Sequence, residues 1–177
     1  MTLSDFATFS TAISGLAVVV TLVFLLLQMR QNNRNQQSLM QQGRSARHMV
    51  TVLARTEPYL SEAVARVVAG DTGIDPSQRQ AVSAWATAII WSHEDSFLQH
   101  RAGTLDAASF ETDAAALKGI LALPFCRVQW RGLRRLSSGA YRDHVDRLMT
   151  ETPAVKPNAN AHAQWQAQMA EEIANAV

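Results

Sequence analysis

The chain has 177 residues, of which 47% are hydrophobic and 18% are charged, and a formal net charge of +1. This composition excludes an intrinsically disordered chain, and the charge balance gives no global attraction to a polyanion. The single cysteine, Cys126, excludes an internal disulfide, and its neighbours Phe125 and Val128 predict a small buried side chain and not a reactive thiol.

The first predicted element is an apolar helix near the N-terminus. Between Asp5 and Arg30 lie 24 residues without an ionisable side chain. About 20 helical residues span a bilayer core of roughly 30 Å. A cleaved signal peptide carries basic residues before its apolar run and a small-x-small cleavage site after it, and this sequence has neither. We therefore predict an uncleaved transmembrane anchor at residues 1–29, with a buried helix of a soluble protein as the alternative.

Basic residues lie on only one side of this apolar run. None precedes it, and the arginines that follow before Glu57 are Arg30, Arg34, Arg44, Arg47 and Arg55. Because Lys and Arg are retained on the cytoplasmic side, we expect a single-pass protein of the bacterial inner membrane with its N-terminus outside and its C-terminal domain in the cytoplasm. Arg30 and Arg34 are candidates for contact with anionic lipid. Within the anchor, three small residues are candidates for packing against another membrane helix: Ser10, Ser14 and Gly15.

The anchor is predicted to continue as a polar stalk. Residues 30–45 are rich in amides and arginine, and the absence of proline before Pro58 allows a continuous helix to about Thr56. Apolar periodicity resumes with Met49, Val52 and Leu53, so the globular part is predicted to begin at residue 46.

Residues 46–150 are predicted to form a helical bundle. Asp75 and Pro76 are typical of a helix start, and that helix is expected to close on Gly103. Further helices are predicted at 106–123, 125–136 and 139–149. Residues 151–177 are predicted to form a linker and a C-terminal amphipathic helix, on which Trp165, Met169 and Ile173 share a face. No useful period-2 pattern is present, so the predicted fold class is all-α.

Three segments carry a resemblance to a known family. They are the anchor end LLLQMRQNNR, then EDSFLQHRAGTLD at 94–106, and LALPFCRVQWRGL at 121–133. The chain resembles uncharacterised bacterial single-pass membrane proteins, in which the anchor ends in Gln-x-Arg-Gln-Asn. It departs from their pattern with Asp95 in place of Asn, and with a single Trp130 where paired tryptophans are usual. The resemblance implies a helical cytoplasmic bundle on one membrane helix and implies no activity.

The motifs that could carry chemistry are incomplete. HEDSF at 93–97 is similar to a zinc-protease helix, but Phe97 stands where the second histidine ligand is required. His93 and His100 share a helix face, yet the residue three after Glu94 is again Phe97, so the Glu-x-x-His pattern of a di-metal bundle is also missing. Neither a Gly-rich phosphate loop nor a serine with a base at fixed spacing is present. We expect no metal, no cofactor and no catalytic activity.

One basic surface stands out. It consists of Arg127, Arg131, Arg134 and Arg135, joined by Arg142 and Arg147 on the next helix. We call the first four the basic patch. It is a candidate site for anionic lipid, an acidic partner or nucleic acid, and the sequence pI of about 8.0 makes nucleic acid the least favoured of these. The alternative is that these arginines pair within the fold, with Asp143, Asp146 or Glu111.

Two classes of function follow from the sequence. The first is a non-enzymatic, membrane-anchored accessory, scaffold or assembly subunit that binds other subunits of a larger inner-membrane complex. The second is a membrane-tethered sensor or regulator whose cytoplasmic bundle binds a soluble ligand or protein.

Overall fold

A computed structural model describes residues 3–176, with the side chains of residue 10 and of residues 13–176. The first two residues of the predicted anchor and the last residue of the predicted C-terminal helix lie outside this range. The helices are α1 (Leu3–Ala54), α2 (Pro58–Val68), α3 (Pro76–Arg101), α4 (Ala107–Leu121), α5 (Pro124–Leu133), α6 (Gly139–Glu151) and α7 (Ala161–Asn175), with a short 3-10 helix at Arg134–Leu136. No strand is present between residues 3 and 176, and the predicted all-α class is confirmed.

Contacts divide the chain into two units, Met1–Gly43 and Arg44–Val177, and α1 contributes to both. In the first unit, the apolar part of α1 is long and apolar enough to cross a membrane, and its side chains are exposed in the isolated chain. The hydroxyl groups of Ser14 and Thr21 donate to the carbonyls of Ser10 and Ala17 at 2.9 and 2.8 Å. These local bonds satisfy hydroxyl groups that a hydrocarbon surrounding would leave without partners.

The second unit is built around α3, which packs against α2, α4 and α5. The Asp75 side chain accepts from the backbone N–H groups of Ser77 and Gln78, and Pro76 occupies the first turn, so the helix starts where the sequence predicts. The same helix ends before Gly103, whose φ of 72° lies in the left-handed region that favours glycine.

Two clusters of buried side chains form the core of this unit. The larger cluster joins α3, α4, α5 and α6 around Ile90, Leu121, Trp130 and Tyr141. A smaller one joins α2 to α3 and includes Val64 and Trp85. Cys126 is fully buried, as expected, and burial raises the pKa of its thiol to about 12. The inert side chain therefore serves packing.

Several apolar residues do not lie where periodicity places them. Met49, Val52 and Leu53 are exposed, because the last turns of α1 face the bundle with Arg47, Thr51 and Ala54. These turns carry a polar contact face that apolar periodicity does not reveal.

In α3, the large side chains are divided between the core and the surface. Trp91 and Leu98 are exposed, and Ile90, His93 and Phe97 are buried. Ser138 caps α6, whose first residue is Gly139, as the sequence predicts.

The C-terminal segment is attached by its linker. The N–H groups of Val155 and Asn158 donate to the carbonyls of Ala122 and Val68 at 2.8 and 3.3 Å. Pro157 lies so close to Gly70 that a Cβ atom there would be 2.8 Å from the Cβ of Pro157. The side chains of α7 itself are all exposed.

Candidate functional site

A cavity of about 220 Å³ lies between the C-terminal turns of α1, the middle of α3 and α4. Its apolar wall consists of Val52, Trp85, Ile89, Ala116, Leu117 and Ile120, and its polar residues are His48, Thr51, Arg55, Ser92, His93, Ser96 and Asp113. Since a cavity of about 150 Å³ holds benzene, this one accommodates a molecule of roughly nine non-hydrogen atoms.

The cavity wall that α1 supplies is fixed to α3. The indole Nε1 of Trp85 donates to the carbonyl oxygen of Thr51 at 3.1 Å. The guanidinium of Arg55 lies 5.2 Å from the centre of the Trp85 ring, within the range of a cation–π contact. Arg47 forms an ion pair with Asp95, whose Oδ2 also accepts from Gln99 at 2.8 Å. The end of α1 is therefore held by polar contacts more than by a shared apolar core.

Among the polar residues of the wall, only Ser96 is more buried than His93, which has 5% of its surface exposed. Burial and, after it, the nearby His144 together lower the pKa of its imidazole to about 4. The two imidazole rings stack with centroids 5.4 Å apart. His93 is therefore a neutral imidazole at physiological pH.

The hydrogen bonds of Tyr141 fix the tautomer of His93. The Tyr141 hydroxyl donates its only hydrogen to the carbonyl oxygen of Ile90 at 2.9 Å, and its oxygen lies 3.1 Å from His93 Nδ1. That oxygen must accept, so Nδ1 carries the imidazole proton and Nε2 carries a lone pair. Nε2 is buried and has no hydrogen-bond partner among the described residues.

The Asp113 carboxylate is a second acceptor of the cavity wall, and it also has an oxygen without a hydrogen-bond partner among the described residues. The Asp113 carboxylate is 12% exposed and faces two basic side chains of α1. Its Oδ1 lies 3.5 Å from His48 Nε2, and its Oδ2 lies 3.9 Å from Arg44 Nη1. The second distance is too long for a hydrogen bond, and both Oδ2 and Nη1 are buried without a partner within residues 13–176.

Two of these unpartnered acceptors belong to residues of the cavity wall, whereas two other unpartnered atoms among the described residues, Arg47 Nε and His144 Nε2, belong to residues outside it. A buried polar atom without a hydrogen bond costs about 1–3 kcal/mol, so native folds contain few of them. Here His93 and Asp113 line one cavity, and Arg44 is the neighbour of Asp113. A bound molecule that supplies hydrogen bonds would offset this cost, so the arrangement is typical of a ligand site.

The basic patch does not form one open surface. Arg127 is half buried, and its guanidinium donates to the carbonyls of Leu121, at 2.7 Å, Met149 and Thr152. It thereby satisfies carbonyls at the ends of α4 and α6.

Arg134 is bound to Asp146, which accepts from Nε and Nη2 at 2.8 and 2.7 Å, and this contact lowers the pKa of the carboxyl group. Such pairing within the fold is the alternative stated for these arginines. Arg131 and Arg135 are exposed, and no ion pair involves them in the described part of the chain. Arg30 and Arg34 are exposed on α1, as are Ser10, Ser14 and Gly15.

Glu94 of the HEDSF segment and the nearby His100 make contacts within the fold. Glu94 accepts from the Ser137 hydroxyl and the Ser138 N–H at 3.1 and 3.0 Å, which places it at the N-terminus of α6. The His100 ring stacks on Phe110 with centroids 4.4 Å apart. No group of three or more His, Cys, Asp or Glu side chains within the described residues is arranged to hold a metal ion.

The sequence identifies His93 only as a possible metal ligand, because its partners are distant along the chain. Tyr141 is 48 residues away, and Asp113 lies on another helix. Comparisons with family models, with curated proteins and with solved structures found no match.

Proposed function

We propose that the protein is a membrane-anchored sensor or regulator whose cytoplasmic helical unit binds a small molecule in the cavity between α1, α3 and α4. The observation that carries this proposal is that two buried acceptors without a partner among the described residues, His93 Nε2 and Asp113 Oδ2, belong to residues that line one cavity. Binding without catalysis is proposed because the buried His93 is a poor base and the Cys126 thiol is buried and protonated.

The proposal assigns α1 a double role. Its apolar part serves as the anchor, and its last turns form one wall of the cavity through His48, Thr51 and Val52. We further propose that the N-terminus is outside and the Arg44–Val177 unit is cytoplasmic, on the basis of the arginines that follow the apolar run. A reporter that is active only outside the cytoplasm, fused after Val177, should then be silent, and a cytoplasmic reporter there should be active. The reverse pattern would refute the orientation.

The binding proposal is tested by substituting a larger side chain for a residue that lines the cavity. Ala116 lines the cavity, and the adjacent Ala115 is exposed and does not. The full chain is purified in mild detergent from native membranes, and small molecules released on denaturation are identified by mass spectrometry. We expect the unmodified chain and Ala115→Phe to retain the same compound and Ala116→Phe to lose it. Equal retention by all three, or no retained compound, would refute the proposal.

A specific observation also favours the accessory-subunit function. On α7, Trp165, Met169 and Ile173 are exposed and spaced four residues apart, so they form one apolar stripe. Such a stripe on an otherwise polar helix is suited to contact with another subunit. The chain should then migrate in a larger complex after mild-detergent extraction, and replacement of the three residues with glutamine should release it. A monomer with an occupied cavity would favour the sensor instead.

A further inference from the structure

We propose that the cavity selects a small, uncharged, largely apolar molecule that carries an O–H or N–H donor, and that His93 Nε2 accepts this hydrogen bond. The inference rests on the proposed function, because it requires that the cavity binds a ligand. It adds the chemical class of that ligand and names the residue that recognises it.

The hydrogen bonds that His93 already makes determine that it accepts, and that the ligand must donate. Nδ1 donates to the Tyr141 oxygen, so Nε2 is the one nitrogen of the neutral ring left without a partner among the described residues, and His93 lines the cavity. The other unpartnered atom of the wall, Asp113 Oδ2, is also an acceptor. Both atoms require donors, so a ligand with acceptors alone would leave the wall unsatisfied.

The charges around the cavity disfavour an ionised ligand. Asp113 is the carboxylate of the wall, and it already faces Arg44 at 3.9 Å and His48 at 3.5 Å, with Arg55 also at the cavity. A cationic ligand would add positive charge beside these basic groups. An anionic ligand would be attracted by Arg55, but it would also place its charge beside the Asp113 carboxylate and the His93 Nε2 acceptor, neither of which can donate a hydrogen bond to it. Desolvating either ion in a mostly apolar cavity is costly, whereas a neutral donor avoids that cost.

The apolar walls determine the rest of the molecule. Ile89, Leu117 and Ile120 supply aliphatic surface, and Trp85 supplies an aromatic ring. With the cavity volume of about 220 Å³, this surface suits a compact aromatic or branched aliphatic body. A phenyl ring with a short arm ending in a hydroxyl group meets these requirements.

The test uses four probes of nearly equal size: 2-phenylethanol, its isomer benzyl methyl ether, 2-phenylethylammonium and phenylacetate. The alcohol has a donor and no charge, the ether has no donor, and the last two carry opposite charges. Affinities are measured by titration calorimetry on the full chain in nanodiscs of zwitterionic lipid, after subtraction of empty nanodiscs. We expect the alcohol to bind at least about tenfold more tightly than each other probe, since the wrong probe leaves a buried acceptor unpaired.

Three substitutions test whether His93 causes the preference for the alcohol over the ether. His93→Phe should reduce the preference of alcohol over ether to about twofold or less. The matched control His100→Phe lies on the same helix, contacts the same Phe110 ring and does not line the cavity, so it should retain the preference. Ala116→Phe, which leaves His93 intact, should abolish binding of both probes.

The outcomes separate this inference from the proposed function. Equal binding of alcohol and ether that is lost in Ala116→Phe would refute the donor requirement and leave the cavity as a binding site. Tighter binding of either ion would refute the requirement for a neutral ligand. No binding of the alcohol would refute this ligand class, and the compound retained by the chain from native membranes decides the binding function separately.

Discussion

Arg127 provides the sharpest test of how the basic patch is divided between folding and binding. Replacing Arg127 with methionine keeps an unbranched apolar stem and removes the guanidinium that donates to Leu121, Met149 and Thr152. Carbonyls at helix ends have no intrahelical partner, so these acceptors would lose their hydrogen bonds in a partly buried place. The matched control is Arg131→Met, on the same helix and exposed.

The expected magnitude follows from these contacts. Hydrogen bonds with a charged donor contribute about 1.5–3 kcal/mol each, and the longest of the three, to Met149 at 3.3 Å, is weak. Partial exposure reduces the total, so we expect Arg127→Met to lower the free energy of unfolding by about 3 kcal/mol and the midpoint by about 6–12 °C. Arg131→Met should change the free energy of unfolding by no more than about 0.5 kcal/mol.

The assay is thermal unfolding of the full chain in detergent, followed by the change in tryptophan fluorescence as the buried Trp85 and Trp130 become exposed, since Trp91 and Trp165 are exposed already. Their signal reports on the Arg44–Val177 unit, whose core they join. An Arg127→Met midpoint within 2 °C of the unmodified chain, or an equal loss for Arg131→Met, would refute the structural role assigned to Arg127 (about 0.5 kcal/mol corresponds to roughly 2 °C).

Four further expectations follow from the same contacts. Replacing both Arg131 and Arg135 with glutamine should leave the unfolding midpoint of the full chain nearly unchanged. It should also weaken binding of anionic liposomes to the full chain in zwitterionic nanodiscs, as added salt does for the unmodified chain; unchanged binding would exclude lipid contact at these residues. Trp130→Ala should cost about 3–5 kcal/mol in chemical denaturation, since this ring is 1% exposed and its Nε1 bonds Asp146; a cost below about 1 kcal/mol would show that the ring is not part of the core. The folded chain keeps His93 neutral down to about pH 4, while the unfolded chain protonates it near 6.5, so the free energy of unfolding should fall by about 3 kcal/mol as pH drops between these values; His93→Gln should make the curve shallower, and an unaltered curve would contradict the assignment. Gly15→Leu should leave membrane insertion intact, because a Cβ atom at Gly15 meets nothing within 4 Å among the described residues outside its own stretch of helix, and it should weaken co-purification of a partner that packs against this small residue; unchanged co-purification would make the anchor a generic tether.

The helix boundaries could be predicted because their signals are local. Asp75 accepts from backbone N–H groups within the next three residues, Pro76 has no N–H to lose, and Gly103 tolerates a positive φ. Each of these effects depends on a few neighbouring residues, so the sequence alone contains it. The length of α1 was predictable for the same reason, since no proline interrupts it before Pro58.

Neither the face of α1 that contacts the bundle nor the cavity could be predicted, because both depend on polar contacts between distant residues. Apolar periodicity identified Met49, Val52 and Leu53, yet the contact face is held by Arg47 and by the backbone of Thr51. A helix face that is held by ion pairs has no apolar stripe to recognise. For the cavity, only tertiary structure brings His93, Asp113 and His48 together from three helices.

The polar attachment of α1 also bears on how a bound ligand would act in the proposed sensor. The Arg47–Asp95 pair is more than 40% exposed on both side chains, and such pairs contribute about 0–1 kcal/mol each. A ligand at about 100 times its dissociation constant, bound only when α1 closes the cavity, would stabilise that arrangement by about 2.7 kcal/mol. This exceeds the contribution of one such pair, so ligand binding is strong enough to change how firmly His48, Thr51 and Arg55 are held against α3 and α4. Because the same helix continues without interruption into the apolar segment, the ligand would act on the helix whose apolar part is long enough to cross a membrane.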